Sequence, residues 1–416
     1  MAQKFKLTNG MDVVVEQMAG CRSVACGLWA RAGSAWESDN IAGISHFLEH
    51  MLFKGTEKRN AQQIAAAMDD VGGMLNAFTG KECTCYYTRA LDEHFSLSLD
   101  LLSDIYVHSQ LREQECKLEK DVIIEEINMY EDTPDDVAGD LFAATLWPRH
   151  SYGRSVIGGK ESVQAITQTD LHDYYRRNYA PCNTVLAIAG NVTPKAAVYE
   201  AEHYLGDFAG IAKAPKSKIP QTKSGSSAIY KDIEQMHVCL GFPAVSEEDD
   251  DFYAAHLLTN ILGGGMSSRL FQEVREKRGL SYSAYAYLIS YARDGYLCAY
   301  ASTRPQKLHE LVKVIAGELQ KIVSGGITDA ELIAAKQQIK GSLLLGWENS
   351  GNVMNAIGKR LLTLGKLYSV QETLEHVMAV SIEDMENLAK RLLDPQKAVL
   401  SVVGALDKPL ELSEIW

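Results

Sequence analysis

The pattern of apolar and polar residues along the chain predicts strands and helices mixed over its whole length. Runs rich in β-branched and other apolar residues have the length of strands, and they lie at 11–16, 23–31, 83–90 and 184–189. Apolar positions spaced three and four residues apart predict helices at 93–108, 113–130 and 171–177. Asn60 is expected to cap a further helix that ends at Gly72-Gly73. The pattern indicates an α+β fold.

Two parts of the chain resemble each other across a central segment. Residues 209–228 contain prolines, lysines and serines with little periodicity, which indicates a linker. Val24-Ala25-Cys26-Gly27 resembles Val238-Cys239-Leu240-Gly241 at an offset of 214 residues, and the turn proline, strand and glycine of 181–190 recur at 395–404. We therefore expect two homologous domains, 1–208 and 229–416, each with a sheet covered by helices.

Composition narrows the classes of partner. The 416 residues carry 54 acidic and 41 basic side chains, a net charge of −13, with no cluster of Lys and Arg. Nucleic acid and anionic membranes are therefore excluded as main partners, because phosphate binding needs concentrated positive charge. No run of 18 apolar residues could span a bilayer.

Eight cysteines in so long a chain are too sparse for a disulfide framework. Cys83 and Cys85 are interpreted as reduced packing residues, with a metal role as the less favoured alternative. The first residues lack the pattern of a signal or transit peptide. A cytoplasmic location is expected, and a mitochondrial one is less favoured.

The sharpest chemical motif is His46-Phe47-Leu48-Glu49-His50. On a helix the two histidines are one turn and about 40° apart, so both imidazoles can reach one ion, and Glu49 can approach a water on that ion. Neutral imidazole suits Zn²⁺, and the order His-x-x-Glu-His is that of inverzincins. The alternative is a pair of ordinary surface or core histidines.

A third ligand is predicted on the helix at 113–130. Glu119 and Glu126 belong to an otherwise apolar stripe formed by Glu119, Val122, Ile123, Glu126, Met129 and Tyr130. A carboxylate on such a face needs a partner, because burying it unpaired is costly. Glu126 is the candidate ligand, and Glu119 could orient a ligating histidine. Salt bridges to basic residues are the alternative for both.

These motifs together resemble the pitrilysin family of zinc metallopeptidases. The run 46–56, followed by Glu126 76 residues after His50, is most similar to the branch of the mitochondrial processing peptidase β subunit and its bacterial relatives. Asn76-Ala77-Phe78-Thr79 resembles the substrate-binding edge strand of the family, and 271–282 resembles its second-half signature. The resemblance covers nearly the whole chain.

The resemblance implies a fold, an activity and a set of site residues. Two domains, each a mostly antiparallel sheet covered by helices, would close around a peptide chamber. One Zn²⁺ per chain would be held by His46, His50 and Glu126, with Glu49 as general base. Arg275 and Tyr282 would help to hold the substrate and its developing oxyanion. Extended, unfolded peptides or presequence-like segments would add as a strand to Asn76, Ala77 and Phe78.

The resemblance also bears on specificity. The related processing peptidases bind arginine through acidic residues ten and fourteen positions after the glutamate ligand, and Asp136 and Asp140 lie there. A preference for basic peptides would follow. The alternative is a solvated helix N-terminus after Pro134, where acidic residues favour the dipole.

The second half of the chain contains a degenerate copy of the metal motif. His256, Thr259 and Asn260 align with His46, Glu49 and His50, so one site per chain is expected. A homodimer, or a heterodimer with a homologous subunit, is expected by analogy with the family. The first rival hypothesis is a non-catalytic partner or scaffold subunit. The second is a zinc hydrolase acting on a non-peptide bond.

Overall fold

The computed structural model describes residues 1–212, 219–406 and 408–416. Residues 213–218, inside the predicted linker, lie outside the described residues. The linker prediction is wrong at its end, because a strand begins at Gly225 and pairs with a neighbour over its whole length. Backbone pairing can accommodate the small polar residues that made this stretch look like a loop.

The strands are β1 Gln3–Lys6, β2 Asp12–Gln17, β3 Ser23–Ala30, β4 Met74–Thr79, β5 Thr84–Leu91, β6 Thr184–Gly190, β7 Gly225–Tyr230, β8 Met236–Ala244, β9 Ala284–Ser290, β10 Gly295–Thr303 and β11 Val399–Gly404. The four predicted runs correspond to β2, β3, β5 and β6 to within one residue at each end, since most of their apolar residues fill a core. The other strands were not predicted from the apolar pattern.

The helices lie between these strands along the chain. They are α1 Ile44–Leu52, α2 Ala61–Asp69, α3 Phe95–His108, α4 Glu113–Glu131, α5 Pro134–Leu146, α6 Lys160–Ala165, α7 Gln168–Asn178, α8 Pro194–Leu205, α9 Phe252–Gly263, α10 Leu308–Val323, α11 Asp329–Gly346, α12 Ser350–Leu364, α13 Val370–Ala379 and α14 Ile382–Leu392. Asn60 caps α2 in a reciprocal capping box with Gln63, which confirms the predicted start. No helix among the described residues combines the length and apolar character that crossing a bilayer requires.

The two sheets repeat one topology. The first has the order β1-β2-β6-β3-β5-β4, and the second β7-β11-β8-β10-β9. In the first sheet β2 and β6 are parallel, and β6, β3, β5 and β4 then pair antiparallel in turn. In the second sheet β7 and β11 are parallel, and β11, β8, β10 and β9 then pair antiparallel in turn. The strands that matched at an offset of 214, β3 with β8 and β6 with β11, occupy the same places. The predicted α+β fold with two homologous, mostly antiparallel sheets is confirmed.

The two compact units differ from the contiguous halves of the sequence. The first contains Met1–Ile127, Ser155–Ser217 and Leu343–Val370, and the second Asn128–Arg154, Lys218–Ser342 and Gln371–Trp416. Helix α5 therefore packs on β8 and β11, while α12 packs on β3 and β6. The predicted domains 1–208 and 229–416 describe the duplicated halves, whereas each compact unit takes one helix from the other half. Both faces of these buried strands need cover, and a sequence pattern does not tell which sheet a helix will cover.

Close contact between α12 and the first sheet depends on glycine. A Cβ built at Gly358 would lie against the indole Nε1 of Trp29, 2.6 Å from its Cδ1 and 2.9 Å from the Cβ of Ala187. Gly27 on β3 faces the Met354 sulfur of the same helix in the same way. The missing side chains let the helix backbone approach the sheet closely enough to exclude water.

Replacing Gly358 by Ala should therefore destabilise the protein. Inside an exposed helix this change favours folding by about 0.5–1 kcal/mol, but here overpacking should reduce the free energy of unfolding by about 1–3 kcal/mol. Gly341→Ala in α11, with no atom within 4 Å of the new Cβ, is the matched control and should stabilise. Urea denaturation measures both, and equal stabilisation by the two variants would contradict the packing argument.

Candidate metal centre

Helix α1 starts at a buried turn that fixes its position. Gly43 precedes it with φ of +94°, a left-handed conformation that favours glycine, and offers no side chain as a cap. The buried carboxylate of Glu37 instead accepts hydrogen bonds from the backbone N–H groups of Gly43 and Ser45, both at 2.8 Å. The sequence pattern did not reveal this cap, because Glu37 lies outside the helix and six residues before Gly43.

The structure brings His46, His50 and Glu126 together. Nε2 of His46 lies 3.5 Å from Oε1 of Glu126, and Nε2 of His50 lies 3.4 Å from Oε2. The apolar face of α1, which includes Phe47 and Leu48, is buried in the core of the first unit. His46 is buried with it, while His50 and Glu126 are partly exposed. An ion held between the three would therefore be accessible from one side.

The donor set and its spacing fit a zinc ion. The ligand atoms of the three residues all lie within 4.8 Å of one another, and no other such group is found in the described part of the chain. Two atoms bound tetrahedrally to one Zn²⁺ are about 3.3 Å apart, close to the nitrogen-to-oxygen distances here. Two imidazoles and one carboxylate leave a fourth position open, as in catalytic zinc sites.

A second carboxylate supports His50 from behind. Oε1 of Glu119 lies 2.8 Å from Nδ1 of His50, and Oε2 lies 2.5 Å from Nζ of Lys54. Burial opposes ionisation of Glu119, but these two partners bring the pKa of its carboxyl below the ordinary value. Glu119 thus occupies the place predicted for a residue that orients a ligating histidine. Lys54 was not predicted, although it belongs to the motif 46–56.

The carboxylates and imidazoles of the cluster each favour the charged form of the other. Burial disfavours a charged His50, yet hydrogen bonds and charges from Glu119 and Glu126 raise its pKa to about 9. Hydrogen bonds from His46 and His50 hold the pKa of Glu126 well below its ordinary value. A cation at this position is therefore strongly favoured by its surroundings.

Glu49 lies beside the cluster and contacts the edge strand. Its Oε2 accepts a hydrogen bond from the hydroxyl of Thr79, the last residue of β4. Burial raises the pKa of Glu49, opposed by the Thr79 hydrogen bond and by both histidines. The contact was not predicted, because the spacing of residues 49 and 79 carries no signal of their approach.

The apolar stripe predicted on α4 is partly wrong. Val122 and Met129 are 51% and 70% exposed, and the buried face consists of Cys116, Glu119, Ile123 and Ile127. The helix turns this narrower face to the core of the first unit, so Glu126 lies at its margin. That position lets its carboxylate reach the histidines and still meet solvent.

Strand β4 has one side without a strand partner. It pairs with β5 along one side and ends the order of the first sheet. The backbone N–H of Ala77 donates to Oδ1 of its neighbour Asn76 at 2.8 Å. Phe78 is 39% exposed and lies edge-on to Trp29 at 5.4 Å between ring centroids. Residues 76–78 therefore lie on an accessible sheet edge.

Arg275 and Tyr282 lie together in the second unit. The Arg275 guanidinium carbon is 4.3 Å from the centroid of the Tyr282 ring and 4.7 Å from that of Phe271. Its Nη1 donates to the backbone oxygen of Tyr282 at 3.4 Å, and the tyrosine is 78% exposed. Arg275 belongs to a π-helical turn, Phe271–Glu276, a feature frequent at functional sites.

Asp136 and Asp140 lie one turn apart on α5 in the second unit. Asp136 is in the first turn after Pro134, as the dipole alternative expects. Burial and the charges of Asp135 and Asp140 raise its pKa, so the three carboxylates repel one another. Asp140 also interacts with Tyr130 and raises the pKa of that phenol, after the larger effect of burial. A cation here would relieve the repulsion.

The second copy of the motif keeps His256 opposite His46 but has lost the base and the second histidine. On α9, Thr259 donates its hydroxyl to the carbonyl of Ala255 at 2.8 Å. Asn260 lines a cavity of about 240 Å³ between α9 and α11. In the first unit Cys83 and Cys85 form no disulfide and are packed in the core with Trp29, as expected.

Comparison with known families and proteins agrees with this arrangement. Residues 12–160 match the insulinase family model (peptidase family M16), and residues 165–339 match the model of the M16 peptidase inactive domain. The uncharacterized zinc protease YmxG of Bacillus subtilis is 40% identical over 409 residues, 98% of this chain and 100% of the relative.

Solved structures share the fold. A protease from Helicobacter pylori superposes with a TM-score of 0.92 at 22% identity, covering 97% of this chain and 99% of the other. A chain of complex III2 from Candida albicans gives a TM-score of 0.87 at 19% identity, with 99% of both chains covered. At these identities the likeness shows the fold alone.

Removing the Glu126 carboxylate should abolish tight zinc binding. Outer partners of zinc ligands alone contribute about 10–100-fold in affinity, so Glu126→Gln should raise the Kd for zinc by at least about 100-fold. Glu125→Gln, one residue earlier and exposed, should leave the Kd unchanged. Competition with a chromophoric chelator measures both, and equal affinity of the two variants would refute the assignment.

Proposed function

This chain belongs to peptidase family M16, and we propose that it is a zinc-dependent endopeptidase hydrolysing extended, unfolded peptides or presequence-like segments. The observation that carries the proposal is the joining of His46, His50 and Glu126 beside a partly buried Glu49 that contacts the end of an accessible edge strand. His46, His50 and Glu126 would hold one zinc ion per chain. A bound zinc ion supplies Lewis acidity, which acidifies water and polarises a carbonyl.

Glu49 would move the proton. A partly buried carboxylate with a raised pKa can take a proton from water and return it to the leaving amine. Thr79 holds one carboxylate oxygen, which leaves the other free to face the reacting water. The direction of the hydrogen bond keeps Glu49 oriented while it is unprotonated.

The substrate would lie along β4. An extended peptide added to this edge makes backbone hydrogen bonds, which give affinity with little demand on sequence. Ala77 would exchange its contact with Asn76 for one with the peptide. Because β4 ends at Thr79, the added strand would run past Glu49. This recognition of a peptide backbone counts against a hydrolase for a non-peptide bond.

Arg275, Tyr282, Asp136 and Asp140 would act on the substrate from the second unit. Arg275 and Tyr282 offer a guanidinium and a phenol that can hold a carbonyl oxygen as charge develops. Asp136 and Asp140 would bind an arginine side chain, which also relieves their mutual repulsion.

The rival hypothesis is a non-catalytic partner subunit. The same fold occurs in a chain of complex III2, so the fold alone does not separate the two. The intact set of two imidazoles, one carboxylate and a neighbouring base favours an enzyme, because a scaffold gains nothing from keeping them. Dimerisation, with itself or a homologous subunit, and a cytoplasmic location stay predictions from sequence.

Glu49→Gln should keep zinc and lose activity. The amide retains the size of the side chain but cannot accept a proton, and loss of a general base costs about 10²–10⁴-fold in kcat. Zinc content and cleavage of an unstructured basic peptide are measured on wild type and variant. A fully active variant would refute the mechanism, and wild type that purifies and titrates without zinc would refute the proposed function.

Asp136→Asn and Asp140→Asn should lower kcat/KM for arginine-containing peptides selectively. Each should cost about 10–100-fold, since a hydrogen bond to a charged group contributes about 1.5–3 kcal/mol. Asp135→Asn is the control, because it removes a charge from the same first turn. An equal loss for neutral peptides, or an equal effect of the control, would favour the helix-dipole explanation.

A further inference from the structure

Lys54 holds the outer oxygen of the carboxylate that supports His50. Glu119 is 4% exposed, and each of its oxygens has one partner, His50 on Oε1 and Lys54 on Oε2. Nδ1 of His46, in contrast, has no hydrogen-bond partner among the described residues. Orientation of the histidine pair from behind therefore rests on the chain Lys54–Glu119–His50.

The backbone that carries Lys54 is anchored on both sides. Its N–H bonds the carbonyl of Met51 at 3.1 Å, at the end of α1. Two residues later, the Thr56 hydroxyl donates to the buried Asp104 at 2.9 Å, and Arg59 donates to the same oxygen at 2.7 Å. A lysine on such a segment loses less freedom in forming one fixed contact than a lysine on a loose loop does.

The duplication supplies an internal comparison. The offset of 210 that aligns α1 with α9 places Asn260 opposite His50 and Gly264 opposite Lys54. The buried residues Cys116 and Glu119 of α4 match Leu332 and Ala335 of α11, at an offset of 216.

All three members of the chain are thus absent from the second copy. Asn260 and Ala335 line the cavity of about 240 Å³, and Gln338 from α11 donates to the carbonyl of Gly264 at 3.0 Å. His256 remains opposite His46, but the positions equivalent to His50, Glu119 and Lys54 have lost histidine, glutamate and lysine together. Residues serving general stability would have no reason to change with the ligands.

We infer that Lys54 is a positioning residue of the metal centre, which acts through Glu119 to orient His50 and so sets the affinity for zinc. The inference rests on the proposed function, since it takes the three-residue cluster to be a zinc site. Without Lys54 the Glu119 carboxylate has one oxygen unpaired in a buried place, and it can rotate away from His50.

A double-mutant cycle on the full chain tests this. The Kd for zinc alone is measured by chelator competition for wild type, Lys54→Met, Glu119→Gln and the double variant. Lys54→Met should weaken zinc binding about tenfold, at the lower end of the effect of outer partners. In the Glu119→Gln background the same change should have no further effect, because the carboxylate it acts through is gone.

Controls separate positioning from stability. Lys58→Met, an exposed lysine of the same segment, should leave the Kd unchanged. Lys54→Gln keeps a donor for Glu119 and should recover most of the affinity. Lys54→Ala, which also removes the donor, serves in place of Lys54→Met if that variant does not fold. An unchanged Kd in Lys54→Met, or equal weakening with and without Glu119, overturns the inference. Wild type that binds no zinc overturns the proposed function instead.

Discussion

Burial of the Glu119 carboxylate is the constraint on which the arrangement of the site depends. A carboxylate with 4% exposure needs partners on both oxygens, and here they come from His50 on α1 and Lys54 just after it. The pairing joins α4 to α1 at one register. With that register set, Glu126, two turns along α4, reaches the other nitrogen of His50 and the nitrogen of His46. A slip of one turn in either helix would leave a buried charge unpaired and separate the ligands.

The first turn of α1 and the last residue of β4 complete the site from opposite directions. Glu37 anchors the helix start through two backbone N–H groups, so His46 and Glu49 point reproducibly to one side. Thr79 anchors Glu49 from the sheet. The proposed base, Glu49, is therefore held by the same strand on which a peptide would bind. Peptide binding and proton transfer would thus take place at adjacent residues.

Duplication of one domain explains why the two sheets share a topology, and later substitutions explain why only one copy has the site residues. Apart from the extra edge strand β1, the two sheets have the same strand order. The equivalent helices α5 and α12 each cover the sheet of the unit formed mainly by the other half. One copy keeps the ligands and their support. The other keeps His256 but has Thr259, Asn260 and Ala335 in place of Glu49, His50 and Glu119, and a cavity lies beside Asn260 and Ala335. The family model matched by residues 165–339 is named for an inactive domain, in keeping with that loss.

From the sequence alone came several of the strands and helices, the duplication and the proposed ligand set. Helical spacing places His46 and His50 on one face whatever the fold, and a carboxylate on an apolar stripe must find a partner, so Glu119 and Glu126 were identifiable. Only the tertiary structure decided that Val122 and Met129 face solvent. It also decided that α5 and α12 each pack on the sheet of the other half of the chain. The contacts of Glu37, Lys54 and Thr79 around the site likewise appear only in the folded chain. Local periodicity fixes which residues share a face. Which surface that face meets depends on contacts between residues far apart in the chain, and these follow from packing the whole core.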